Sequence, residues 1–188
     1  MPQTIHIIRH AQGFHQLPLN APNTSIRDAE LTPHGNAQCN KFRRDTFPTA
    51  QYDSIDLLCA SPLRRTIQTA QLAFEPCLER GMRIVCLLDA QEATAAPSDT
   101  GSPVDELRAR FGDVNMDYSE MEPLWYEKTG RNAVSIEALR ARARALRKWM
   151  GAREEREIVL VTHGLFAHYL TGDIDDEGKQ LGEWASCF

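Results

Sequence analysis

No two cysteines of this 188-residue chain stand in a CxxC pair, and the five present, Cys39, Cys59, Cys77, Cys86 and Cys187, are irregularly spaced. An odd, scattered set suits a reducing compartment better than a disulfide framework, so these residues read as buried thiols. No apolar run approaches bilayer-spanning length, and the opening MPQTIHIIRH lacks the basic and then apolar pattern of a secretory leader. Together these absences predict a soluble, cytoplasmic protein. The common nucleotide-cradling loops are missing as well, since neither GxxxxGK[ST] nor GxGxxG occurs.

Positive charge is in deficit: 21 Lys and Arg face 26 Asp and Glu, for a net charge of -5. General binding to nucleic acid or to an anionic membrane relies on a basic face and is not expected. A small anionic substrate stays open, because a pocket takes its sign from the few residues that line it. With 42 % hydrophobic residues the chain can fill one core but hardly two, which predicts a single domain over residues 1–188.

Four short segments rich in β-branched residues read as strands: TIHIIRH, IDLLCAS, RIVCLL and EIVLVTHG. Helical patterns alternate with them. Thr32-Pro33 opens one that runs to about Phe42, Ser61-Pro62 precedes LRRTIQTAQLAF, and Ser102-Pro103 starts one that reaches about Phe111. The longest, SIEALRARARALRKWM, carries a stripe of Ile136, Leu139, Ala143, Leu146 and Met150, with its arginines mostly off that stripe and read as a solvated face. The alternation predicts a three-layer α/β/α sandwich with a mostly parallel central sheet. Residues 93–132 show little periodicity and read as a lid or cap insertion, where Trp125 and Tyr126 either cover a ligand or pack on the body.

Ligands of such sheets bind where the strands end. The first expected strand ends at Arg9 and His10, the second leads into Ser61 and PLRR, the third into Asp89 and Glu92, and the fourth into His163. Imidazoles and guanidiniums gathered there are costly to desolvate unpaired, and a phosphoryl group matches them. His6, His15, His34 and His168, taken singly, read as local hydrogen-bonding groups. His6 with His10 makes an unconvincing metal site, because no cysteine cluster or paired carboxylate accompanies them. Ser61 reads as a helix cap rather than a nucleophile, since no GxSxG elbow surrounds it.

RHAQGFHQ, LTPHG with Gln38, SPLRRTIQTA and VTHG resemble, in order and placement, the four signatures of the histidine phosphatase superfamily, also called the phosphoglycerate mutase-like family, over roughly residues 4 to 172. The resemblance implies a phosphoglycerate mutase-like fold and makes His10 the nucleophile that becomes phosphohistidine. It gives the phosphoryl oxygens to Arg9 and His163, and its SPxxR pattern selects Arg65 over Arg64. The general acid best matches Glu92, with Asp89 as competitor. Ala11 follows His10 where Gly is commoner, and Gln16 stands where many relatives carry a phosphate-touching Asn.

The activity this resemblance implies is that of a metal-independent phosphatase without cofactor, acting on a small phosphorylated substrate. A mutase-type phosphotransferase, or a repurposed member that binds or transforms an anionic metabolite in a biosynthetic pathway, are the alternatives. The EATAAPSDTGS stretch is more similar to a fungal branch of the family, and WASCF resembles the entry to a final strand.

Overall fold

A computed structural model describes residues 3–47, 49–175 and 177. Its strands are β1 (Thr4–Arg9), β2 (Leu57–Ala60), β3 (Ile84–Cys86), β4 (Met116–Asp117) and β5 (Glu157–Thr162). They form one sheet in the order β1-β5-β2-β3-β4, with every pair parallel. The four expected strands are all present. The two-residue β4, inside the segment read as a lid, is too short to leave a periodic signal.

Alternating side chains feed two separate cores, as strands buried on both faces require. Leu58, Ala60, Val159 and Val161 pack into one cluster with residues of α1 (Pro33–Lys41), α2 (Thr49–Ser54), α3 (Arg64–Ala73), α4 (Glu75–Glu79) and α5 (Val104–Phe111). Leu57, Cys59, Ile158 and Leu160 pack into the other with α6 (Ile136–Gly151) and α7 (Gly164–Thr171). This is the three-layer sandwich expected.

One of the three serine and threonine starts behaves as a cap, and Ser135 caps α6 as well. Thr32 Oγ1 accepts from the Gly35 N–H at 2.9 Å, and Ser135 accepts from the Ala138 N–H. Ser61 and Ser102 do not cap: α3 begins after Leu63 and α5 after Pro103, neither with a side-chain cap. Both hydroxyls serve tertiary contacts instead, Ser102 donating to Asp28 at 2.7 Å. On α6 Leu139, Ala143, Leu146 and Met150 of the expected stripe are buried and Ile136 partly so; Arg144 and Arg147 lie on the solvated face as expected, whereas Arg142 is buried and corrects that reading at one position.

Within 93–132 the chain forms a 3-10 turn at Pro97–Asp99, then α5, β4 and a second turn at Gly130–Asn132. Trp125 is fully buried against the body and donates from Nε1 to the Ser102 carbonyl at 3.0 Å. A Cβ on Gly101 would overlap its ring, so the glycine is required by close approach. Cys39, Cys59, Cys77 and Cys86 are buried free thiols, whereas Cys187 and WASCF lie outside the described residues. Among the described residues no helix is long and apolar enough to cross a membrane.

Candidate active site

The parallel ladder brings three strand ends together. Arg9 pairs with Thr162 in the β1–β5 register, the His10 N–H continues the ladder to the Thr162 carbonyl at 3.0 Å, and the Ser61 N–H bonds the Val161 carbonyl at 2.9 Å. His10, Ser61 and His163 therefore leave the sheet side by side. The imidazoles of His10 and His163 lie 5.2 Å apart, centroid to centroid.

Arg65, from the first turn of α3, enters between them and is fully buried. Its Nε donates to His10 Nε2 at 3.1 Å and its Nη2 to His163 Nδ1 at 3.1 Å. Because a guanidinium only donates, both ring nitrogens must be acceptors. The other nitrogens agree: His10 Nδ1–H donates to the Ala11 carbonyl at 2.7 Å, and His163 Nε2–H to Ser61 Oγ at 2.8 Å. The tautomers are thus fixed, and the lone pair of His10 is at Nε2. Burial, reinforced by the Arg65 charge, holds both histidines well below the usual imidazole range, so they are neutral near pH 7.

Arg65 is itself anchored. Nη1 donates to the Ser98 carbonyl at 2.6 Å and Nη2 to Asp99 Oδ1 at 2.9 Å, both in the Pro97–Asp99 turn. Arg64 departs the other way, with Nη2 on Ser102 Oγ at 3.0 Å and Glu106 at 3.3 Å. Arg9 is exposed, and its guanidinium lies beside Gly164 at the start of α7.

Two carboxylates follow β3, and the structure separates them. Asp89 takes both oxygens to Arg131 Nη2 at 2.8 and 2.9 Å. Glu92 accepts from the N–H groups of Ala93 at 2.8 Å and Phe166 at 3.0 Å, which seats it at the N-terminus of α7. Burial, with Asp99 nearby, pushes its carboxyl above the usual range. Gln16 keeps its Oε1 on the Gly13 N–H at 2.9 Å. Among the described residues no three His, Cys, Asp or Glu side chains gather as a metal site requires.

A family model described as the histidine phosphatase superfamily (branch 1) matches residues 5–185. The chain belongs to that superfamily. It is 27 % identical to a phosphoglycerate mutase-like protein of Arabidopsis thaliana, over 95 % of this chain and 79 % of the relative. It is 24 % identical to a probable phosphatase of Schizosaccharomyces pombe, over 87 % and 74 %. Among solved structures it resembles phosphoserine phosphatase of Entamoeba histolytica in complex with 3-phosphoglyceric acid, with a TM-score of 0.53 and 25 % identity over 90 % of this chain and 77 % of that one.

In this member of the histidine phosphatase superfamily the structure adds residues that strand-end reasoning passed over. His15, read as a local group, lies 5.5 Å from the His10 ring, and burial with the Arg65 charge lowers it to about 4. Ser61 serves His163 rather than a helix. Asp99 orients Arg65, and Lys128 donates to Gln91 Oε1 at 2.5 Å, its ammonium lowered by burial to about 7. His6, His34 and His168 contribute nothing to this centre; His6 pairs with Glu157 at 2.9 Å and His168 with Asp173 at 3.0 Å.

Proposed function

We propose that the protein hydrolyses a small phosphomonoester through a covalent intermediate on His10, without metal or cofactor. The observation that carries this reading is the fixed tautomer pair. A neutral imidazole with its lone pair at Nε2 and its proton tied to the Ala11 carbonyl is prepared to attack phosphorus. A tetrahedral oxyanion is a stronger acceptor than an imidazole nitrogen, so an arriving phosphoryl group draws the Arg65 donors onto its oxygens and uncovers Nε2.

In the first half-reaction His10 Nε2 forms a bond to phosphorus while the bond to the leaving oxygen breaks. Arg9 and Arg65 spread the charge of the equatorial oxygens, joined by His163 once the arriving dianion favours its protonation at Nδ1, and the protonated Glu92 carboxyl gives its proton to the departing oxygen. In the second, the Glu92 carboxylate takes a proton from water, whose oxygen attacks phosphorus as the bond to Nε2 breaks. Orthophosphate leaves and neutral His10 returns. Gln16 acts through its Nε2–H donors, since its Oε1 is held by Gly13. Residues 93–132 act as the cap, supplying the Ser98 and Asp99 contacts that aim Arg65.

The test is turnover of a generic aryl phosphate in excess chelator, with acid-labile label retained on the protein after a rapid quench. His10→Ala is expected to abolish both. Turnover that survives His10→Ala overturns the reading, and interconversion of monophosphoglycerates on adding 2,3-bisphosphoglycerate would point to phosphotransfer instead.

A further inference from the structure

We propose that Arg142 is a positioning residue for the Glu92 carboxyl, clamping the loop after β3 against α7 so that the acid is held where the leaving oxygen departs. The inference rests on Glu92 being the acid of the proposed reaction.

Arg142 occupies the buried stripe of α6, among Leu139, Ala143 and Leu146, and is only 3 % exposed. Its Nη2 donates to the carbonyls of Gln91, at 2.7 Å, and of Glu92 itself, at 3.2 Å. Its guanidinium stacks over the Phe166 ring at 4.4 Å. Phe166 is also the residue whose N–H holds the Glu92 carboxylate at 3.0 Å. One side chain thereby grips both the backbone that carries the acid and the residue that seats its carboxylate.

The placement is expensive. Nε and Nη1 are buried with no hydrogen-bond partner among the described residues, and burial lowers the guanidinium to about 10. A Met or Leu would fill this point of the stripe without that desolvation cost. An apolar side chain, however, could not donate to two carbonyls of a loop that lacks regular pairing, and the loop would be free to shift. A displacement of about 1 Å at a proton donor is enough to cost two orders of magnitude in rate.

The experiment compares kcat/KM for 4-nitrophenyl phosphate, whose leaving group departs without a proton, and glycerol 2-phosphate, whose alkoxide needs one. This ratio ends at the first phosphoryl transfer, so the water step does not enter. Arg142→Met is expected to lose roughly 100-fold on the alkyl ester and less than about 5-fold on the aryl ester, following the bias of Glu92→Gln. Arg142→Lys, which keeps a charge and one donor, is expected to fall between and serves if the Met variant does not fold. Equal losses on both esters would make Arg142 a packing residue and overturn the proposal. So would a Glu92→Gln bias that neither Arg142 variant reproduces. If Glu92→Gln itself shows no bias, the acid assignment fails and the clamp falls with it.

Discussion

The Oδ1 of Asp99 meets the Nη2 of Arg65 at 2.9 Å, while its Oδ2 accepts from Thr94 Oγ1 at 2.5 Å. Asp99 thus sets the plane of the guanidinium that stands between the two histidines. Replacing it by Ala leaves a fully buried cation without its carboxylate, which should cost about 3–5 kcal/mol of stability. Added phosphate would supply the missing negative charge. Thermal melts should therefore show a larger phosphate-induced rise in Asp99→Ala than in the parent, and equal rises would detach Asp99 from the anion site.

Ser61→Ala removes the acceptor of the His163 Nε2–H. A buried donor left unmade costs about 1–3 kcal/mol, and the imidazole loses the bond that specifies its tautomer. The expected outcome is a drop in kcat on an aryl phosphate of about 10-fold with the global fold intact, read by steady-state kinetics beside circular dichroism. Undiminished kcat would show that Arg65 alone orients His163.

Stability should depend on the histidines in acid. Burial, then the Arg65 charge, depresses His10, His15 and His163, the second to about 4. The unfolded chain binds these protons near pH 6.5 and the folded chain only lower. The stability they confer is therefore complete above pH 6.5 and is lost as pH falls toward the folded values. Glu92 and Asp28, whose carboxyls are raised by burial, act in the opposite sense, so the comparison is between variant and parent. His15→Asn should flatten the fall of Tm between about pH 6.5 and 4. An unaltered slope would place the His15 ring in water.

Gly101→Ala would drive a methyl into the Trp125 ring, which has no exposed surface to yield. Overpacking of this kind costs about 1–3 kcal/mol and should be accompanied by a change in indole fluorescence. A variant as stable as the parent, with the same emission, would mean that the 93–132 segment repacks freely.

The sheet and the two histidines were legible because strand-end placement follows from the strands alone: His10 and His163 immediately succeed segments whose β-branched runs are unmistakable. Glu92 was favoured over Asp89 by resemblance alone; the contacts that separate the two, Arg131 on Asp89 from 42 residues away and the Phe166 N–H on Glu92 from 74, are tertiary and leave no linear signal. Ser61 and Ser102 carry local capping signatures that tertiary bonds override. Arg142 defeated the helical reading for a related reason. Periodicity sorts positions by face, and an arginine on an apolar face is recognised only when the carbonyls it serves are known. His15 looked ordinary because nothing in a linear stretch shows that its ring folds back beside His10.

His10 and His163 are keyed to one another by backbone pairing, Arg9 opposite Thr162, with no loop between them and the ladder. Residue insertions and deletions in the connecting loops can accordingly remodel what reaches this pair of imidazoles while the pair itself stays in step. Slipping β5 by a single residue would instead carry the second imidazole to the far side of the sheet. Selectivity in this architecture is free to drift, whereas its chemistry is locked to an integer.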